Sequence, residues 1–137
     1  MLRRDKHAEV RGGFTLMEVL VVVAIIVILA GAAVPLFMNR LEESKRKMAW
    51  VNAKTIASAA EQYKINIGDY PTALTELVQP PNGGTPYVEP SALVDPWGRE
   101  YQYAYPGQHN TGKPDVWSVG GRVGDPNGTV GNWMTSP

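Results

Sequence analysis

Hydrophobic and polar positions divide the chain into three regimes. Over residues 14–34 the only charge is Glu18, and about 20 apolar residues in a row are what a helix needs to span a bilayer. Over residues 36–67 the apolar positions turn periodic. Ala49, Ala53, Ile56, Ala60, Tyr63 and Ile67 are separated by 4, 3, 4, 3 and 4 residues, a continuous stripe on one helix face. This segment contains neither Gly nor Pro and is rich in strong helix formers. Glu42, Glu43, Lys45, Arg46, Lys47, Lys54 and Lys64 fall largely off the stripe. In the last third the period shortens to two. Tyr101-Gln102-Tyr103-Ala104-Tyr105 and Val116-Trp117-Ser118-Val119 read as strands that pair as an antiparallel hairpin across the long turn 106–114.

Punctuation between these regimes sets the elements. Gly31 and Pro35 should interrupt the long helix with a kink or locally loosened turn, because proline removes a backbone donor and crowds the turn before it. An unbroken helix over 14–67 would run roughly 80 Å. A domain of this chain could cover only its second half, so lipid or other subunits must bury the first. Gly68 suits a C-terminal cap and Pro71 prevents resumption. Thr72 is expected to cap a short helix through Val78 with Leu74, Leu77 and Val78 turned inward. Residues 80–86 are loop, Asp95-Pro96-Trp97-Gly98 fits a type I turn, and residues 120–131 read as loop ending at Asn132-Trp133. The fold class is α+β: a long N-terminal helix, its first half membrane-spanning, packed against a small C-terminal antiparallel sheet. The alanines of the stripe would let that sheet approach closely.

Composition narrows the chemistry. A chain of 137 residues holds one modest domain plus an extension. Formal net charge is zero, so no partner among nucleic acids is expected. There is no cysteine, hence no disulfide, thiolate chemistry or common zinc site. His7 and His109 are the only histidines and lie in unrelated segments, which leaves no triad and no histidine metal cluster. Asp95 has no nearby base and is explained by its turn. No catalytic site emerges and no enzyme is expected. The faces of Tyr101, Tyr103 and Tyr105 with Trp97, Trp117 and Trp133 suit either a stacking surface or the core of a small sheet. Lys45-Arg46-Lys47 suits either a solvated helix face or contact with anionic headgroups or a neighbour's acidic residues.

Charge is uneven along the chain. Residues 1–13 carry Arg3, Arg4, Lys6 and Arg11 against Asp5 and Glu9, and basic residues beside a membrane segment hold that end in the cytoplasm. An ordinary secretory signal peptide has the same start, and Ala30-Gly31-Ala32 offers a small-residue cleavage site that would leave Ala33 first. Against it stand Glu18 inside the apolar run and the helical pattern continuing beyond the cut.

Gly13-Phe14-Thr15-Leu16-Met17-Glu18 ahead of an apolar helix resembles the class III signal of type IV pilins and pseudopilins. The resemblance implies that a prepilin peptidase of the membrane cuts between Gly13 and Phe14 and methylates the Phe14 amine. Glycine suits such a site because bare backbone fits a protease cleft. Glu18 would pair in the filament with the Phe14 amine of a neighbour, and Pro35 would belong to the same assembly region. The organisation implied is a leader of 1–13 that is removed, a transmembrane and filament-core helix of 14–34, the periplasmic half of the helix over 35–67, and a globular α+β region over 68–137. Tyr70-Pro71, Asp95-Pro96-Trp97-Gly98-Arg99-Glu100-Tyr101-Gln102-Tyr103, Pro106-Gly107-Gln108-His109, Asp115-Val116-Trp117-Ser118-Val119-Gly120 and Gly131-Asn132-Trp133 narrow the resemblance to the major pseudopilins of type II secretion systems. Such a subunit polymerises with copies of itself from the inner membrane into a short periplasmic filament that drives protein export. Its partners would be minor pseudopilins, the prepilin peptidase, the inner-membrane assembly platform and the lipid bilayer. Two alternatives stay open at this point: a subunit of another type IV-like pilus for adhesion, motility or DNA uptake, and a periplasmic binding protein with an ordinary signal peptide.

One departure stands out. Major pseudopilins typically bind calcium in the loop after the second strand, through one Asp soon after that strand and another just before Gly-Asn-Trp. Here Arg122 takes about the first position, and Asn127 and Thr129 stand where acids are expected. Asp125, Asn127 and Thr129 offer oxygens at alternate positions, the sort of array that can wrap calcium, yet with a single carboxylate. The other possibility is a metal-free loop, pinned by Arg122 through Asp125 or a carbonyl.

Overall fold

A computed structural model describes residues 12–137. The leader expected over 1–13 therefore lies outside the described residues except for its last two. Six elements follow in order: helix α1 (Leu16–Ile67), the one-turn helix α2 (Thr75–Val78), a 3-10 turn (Pro90–Leu93), and strands β1 (Gln102–Ala104), β2 (Asp115–Ser118) and β3 (Val130–Gly131). The described residues divide into two compact units, one ending at Asn39 and the other spanning residues 40–137. In the first, α1 runs on through Gly31 and Pro35, so whatever kink or loosened turn Pro35 imposes does not end the helix. Proline costs only its own backbone donor and the clash with the preceding turn, and the residues on either side remain helical.

The second unit holds the core. Ala49, Ala53, Ile56, Ala59, Ala60 and Tyr63 are the buried residues of α1. They meet Tyr70, Leu74, Leu77, Tyr101 and Val116. Ile67, expected to continue the stripe, is 39 % exposed, because the chain turns away at Gly68, whose N–H closes the helix on the Lys64 carbonyl at 2.8 Å. The sheet is antiparallel with order β1-β2-β3 and pairs Tyr103 with Val116 and Ser118 with Val130. Hydrogen bonds that fasten the rest of the unit to the helix and its exit include Trp50 Nε1 to the Met134 carbonyl (2.8 Å), the Tyr101 hydroxyl to the Ala49 carbonyl (3.3 Å) and the Tyr103 hydroxyl to the Pro71 carbonyl (2.8 Å).

Two local expectations are corrected. Thr72 does not cap α2, which begins three residues later behind Leu74 with no side-chain cap. Instead the Glu76 carboxylate reaches back and accepts the Thr72 N–H at 3.1 Å and the Thr72 hydroxyl, while its other oxygen accepts the Tyr63 hydroxyl. These bonds, Thr72 first and Tyr63 second, hold the Glu76 carboxyl below its ordinary value. They also push the Tyr63 phenol up to about 12, since its proton is shared with an anion. Strand β3 lies inside the stretch read as loop. Two residues carry no periodicity, and their pairing with Trp117 and Ser118 comes from β2 rather than from local propensity.

Candidate functional site

At the start of α1, Gly13 and Phe14 are non-helical, and nothing lies within 4 Å of the place a Gly13 side chain would occupy. Phe14 is 84 % exposed. Thr15 precedes the first helical residue, and its hydroxyl accepts the Glu18 N–H at 3.2 Å while its carbonyl accepts the Val19 N–H at 3.2 Å. Thr15 is thus the N-cap and Glu18 the third helical residue, where a carboxylate favours the positive end of the helix dipole. Thr15 had no assigned role in the sequence reading, although Thr-x-x-Glu before an apolar run is a capping-box spacing. Beyond it the large apolar residues between 19 and 29 are 49–71 % exposed. No residue of the apolar window is buried by this chain. Pro35 sits in the same exposed stretch.

In the second unit the turn 95–98 and the loop after β2 are locked together. Asp95 closes its turn, its carbonyl accepting the Gly98 N–H at 3.0 Å. Its Oδ1 accepts the N–H groups of Trp97 (3.0 Å) and Arg99 (2.9 Å), and its Oδ2 accepts the Ser118 hydroxyl at 2.5 Å. Ser118 Oγ in turn accepts the Gly120 N–H at 3.0 Å. The Arg99 guanidinium completes the circuit by donating to the carbonyls of Gly120 and, at 3.2 Å, Gly121. Gly120 has φ +77°, and a Cβ there would lie 2.2 Å from the Gly128 carbonyl oxygen. The two ends of the 120–128 loop therefore touch at a neck that admits only glycine. From α1, Arg46 Nη1 donates to the carbonyls of Asn127 (3.1 Å) and Gly128 (3.2 Å).

The oxygens expected to hold calcium are arranged differently from a cation cage. Asp125 Oδ1 accepts the Asn127 N–H at 2.9 Å, and the Asp125 carbonyl accepts the Gly128 N–H at 2.9 Å. Thr129 is half-buried on another side, lining an open groove of about 500 Å³ with His109, Trp117 and Trp133. Among the described residues no three His, Asp or Glu side chains gather as metal ligands. Arg122 is exposed and has no side-chain hydrogen bond among the described residues. The pinning expected of it is done by Arg46 and Arg99. Within the basic run 45–47 Arg46 is thereby engaged, and only Lys47 is exposed.

A third constellation went unread in the sequence. Asp115 is 2 % exposed. Its Oδ2 accepts the N–H groups of Gln108 and His109, both at 2.8 Å, and lies 3.0 Å from His109 Nδ1. Its Oδ1 accepts the Asn110 N–H (3.0 Å) and side-chain amide (2.9 Å). Burial pushes this carboxyl up, but the donors from His109, Asn110 and Gln108 outweigh it and hold it below the ordinary range. Asn132 extends the same network, exchanging hydrogen bonds with both backbone groups of Val116 and donating to the Pro114 carbonyl at 3.0 Å. The aromatic residues divide. Tyr101 is core, Tyr105 is 45 % exposed, and Trp133 has one face covered by the parallel His109 ring at 3.9 Å. Packing thus takes up Tyr101 and Tyr103, while Trp117 and Trp133 border the groove.

Comparison with known proteins agrees with this layout. Residues 36–133 match the family model for type II secretion system protein G, and residues 10–34 match the prokaryotic N-terminal methylation motif. The chain is 38 % identical to type II secretion system core protein G of Pseudomonas aeruginosa, over 90 % of this chain and 95 % of that one. It is 36 % identical to the core protein G of Vibrio cholerae, over 93 % and 95 %. The crystal structure of the major pseudopilin from the type 2 secretion system of enterohaemorrhagic Escherichia coli superposes with a TM-score of 0.56 at 27 % identity, covering 73 % of this chain and 94 % of that one. The capped apolar helix, the interlocked turn and loop, and the Asn132 network thus belong to a member of the type II secretion system protein G family, the major pseudopilins.

Proposed function

We propose that the chain is the major structural subunit of a type II secretion pseudopilus, anchored by residues 14–34 in the inner membrane with residues 35–137 in the periplasm. The observation that carries this reading is a methylation-motif helix whose apolar half is unburied by its own chain, joined to a protein G domain. Removal of residues 1–13 by the prepilin peptidase would create an ammonium group at Phe14, four residues ahead of Glu18. A charged side chain costs about 2.5–3.5 kcal/mol at mid-bilayer on insertion scales and less near the interface, where Glu18 lies in the first turn of the span. Pairing Glu18 with the Phe14 amine of an adjacent copy lowers that cost and favours the packed bundle over the isolated span. With minor pseudopilins and the assembly platform, repeated addition extends a filament that pushes folded cargo toward an outer-membrane pore. The role is structural, with no reaction catalysed.

Processing and assembly test this together. The full chain, expressed with a prepilin peptidase, should yield a mature protein beginning at methylated Phe14, read by mass spectrometry. A start at Ala33 would refute the reading. Glu18→Ala should be processed normally yet stay in the membrane fraction when sheared filaments are collected; normal assembly of that variant would remove the pairing from the mechanism.

A further inference from the structure

The loop that joins β2 to β3 poses a problem of charge. A calcium ion takes six to eight oxygens, several of them anionic, at roughly 2.3–2.6 Å. The loop 120–128 offers backbone carbonyls at its neck, and four of them, Gly120, Gly121, Asn127 and Gly128, already accept from guanidinium groups. An ion drawn to those oxygens would sit within hydrogen-bond distance of Arg46 or Arg99, both permanently charged. The adjoining hollow of about 460 Å³ is lined by Glu42, Arg46, Arg122 and Asp125. Its two carboxylates are thus matched by two arginines. Each is also engaged: Glu42 accepts the Trp97 Nε1–H at 3.2 Å and Asp125 caps its own turn. The residues present do not fit calcium.

We propose that the guanidinium groups of Arg46 and Arg99 occupy the place of a divalent cation in this chain, clamping the two ends of the loop and making its fold independent of calcium. The planar arginine fork suits this role because one rigid group bridges consecutive carbonyls. Arg46 does so from α1 onto Asn127 and Gly128, and Arg99 from the 95–98 turn onto Gly120 and Gly121. Between them they hold both strands of the neck where Gly120 meets Gly128. The assignment concerns the folded domain and holds whatever filament the subunit joins.

The test uses the full chain in detergent, with calcium chloride or EGTA. The wild type should melt at the same temperature in both, and its tryptophan fluorescence, with Trp97 beside the loop, should stay flat through millimolar calcium. A melting temperature that falls in EGTA and recovers with calcium overturns the proposal. Arg46→Gln should lower the melting temperature by roughly 4–8 °C for each kcal/mol lost, equally with and without calcium, and Arg46→Lys by less. Arg122→Asp supplies the missing carboxylate but leaves the clamp, so it should remain insensitive to calcium. The double variant Arg46→Gln/Arg122→Asp should acquire a calcium-dependent rise in melting temperature. If Arg122→Asp alone acquires that rise, arginine occupancy is not what excludes the ion.

Discussion

Asp115 shows how much of a loop one buried carboxylate can organise. Five donors of residues 108–110 converge on it, and Gly107 passes so close that a Cβ would lie 2.6 Å from its Oδ1. Asp115→Asn keeps the shape but turns one acceptor into a donor facing donors. Charge-assisted bonds contribute about 1.5–3 kcal/mol each, and we expect this substitution to cost about 2–4 kcal/mol in urea unfolding. The sign of its pH dependence follows from the depressed folded value. The contribution is complete above the ordinary aspartate value of 3.8 and is lost as pH falls through the lower folded one. Acid unfolding of Asp115→Asn should therefore show a flatter slope in that window; an unchanged slope would mean the carboxylate is not the titrating group. None of this was legible locally, because Asp115 reads as the start of a strand and its donors come from a turn whose course only the fold reveals. Arg46 was hidden likewise, one basic residue in a run of three.

At the scale of elements, what could be read was what periodicity carries. The spacing 4, 3, 4, 3 from Ala49 to Tyr63 names five of the six residues that α1 buries, and the sixth, Ala59, flanks Ala60. Alanine is there because Val116 of β2, Tyr101 ahead of β1 and Leu77 of α2 fill the space beyond. Ala53 is fully buried, so Ala53→Leu inserts methylenes with nowhere to go. Overpacking of that kind costs about 1–3 kcal/mol. Thermal melting should show the loss, while Val51→Leu at an exposed position of the same helix should leave the transition where it was. Strand β3 and the start of α2 escaped because each is too short to show a period. The chemistry that positions them, β2 pairing and the reach of Glu76, is tertiary.

For the molecule as a whole, the two units meet opposite demands. Residues 40–137 bury their own core, whereas the apolar window near the N-terminus buries nothing, a division visible in the sequence as an aperiodic apolar run followed by a periodic stripe. The family motifs were legible for the same reason: Asp95, Ser118 and Gly120 form one hydrogen-bond system at one end of β2, and Asn132 belongs to a second around Val116 and Pro114. The touching backbones of Gly120 and Gly128 carry one more implication. A loop whose ends are already joined is insulated from its own length, since each doubling of loop length costs only about 0.6 kcal/mol in closure entropy. The exposed tip at Val123-Gly124 is thus a place to graft foreign sequence. A short flexible epitope inserted between those two residues should leave the melting temperature within a few degrees of the parent, whereas the same insert between Gly128 and Thr129 should unfold the domain. That tip would give the subunit a handle for labelling without touching its core.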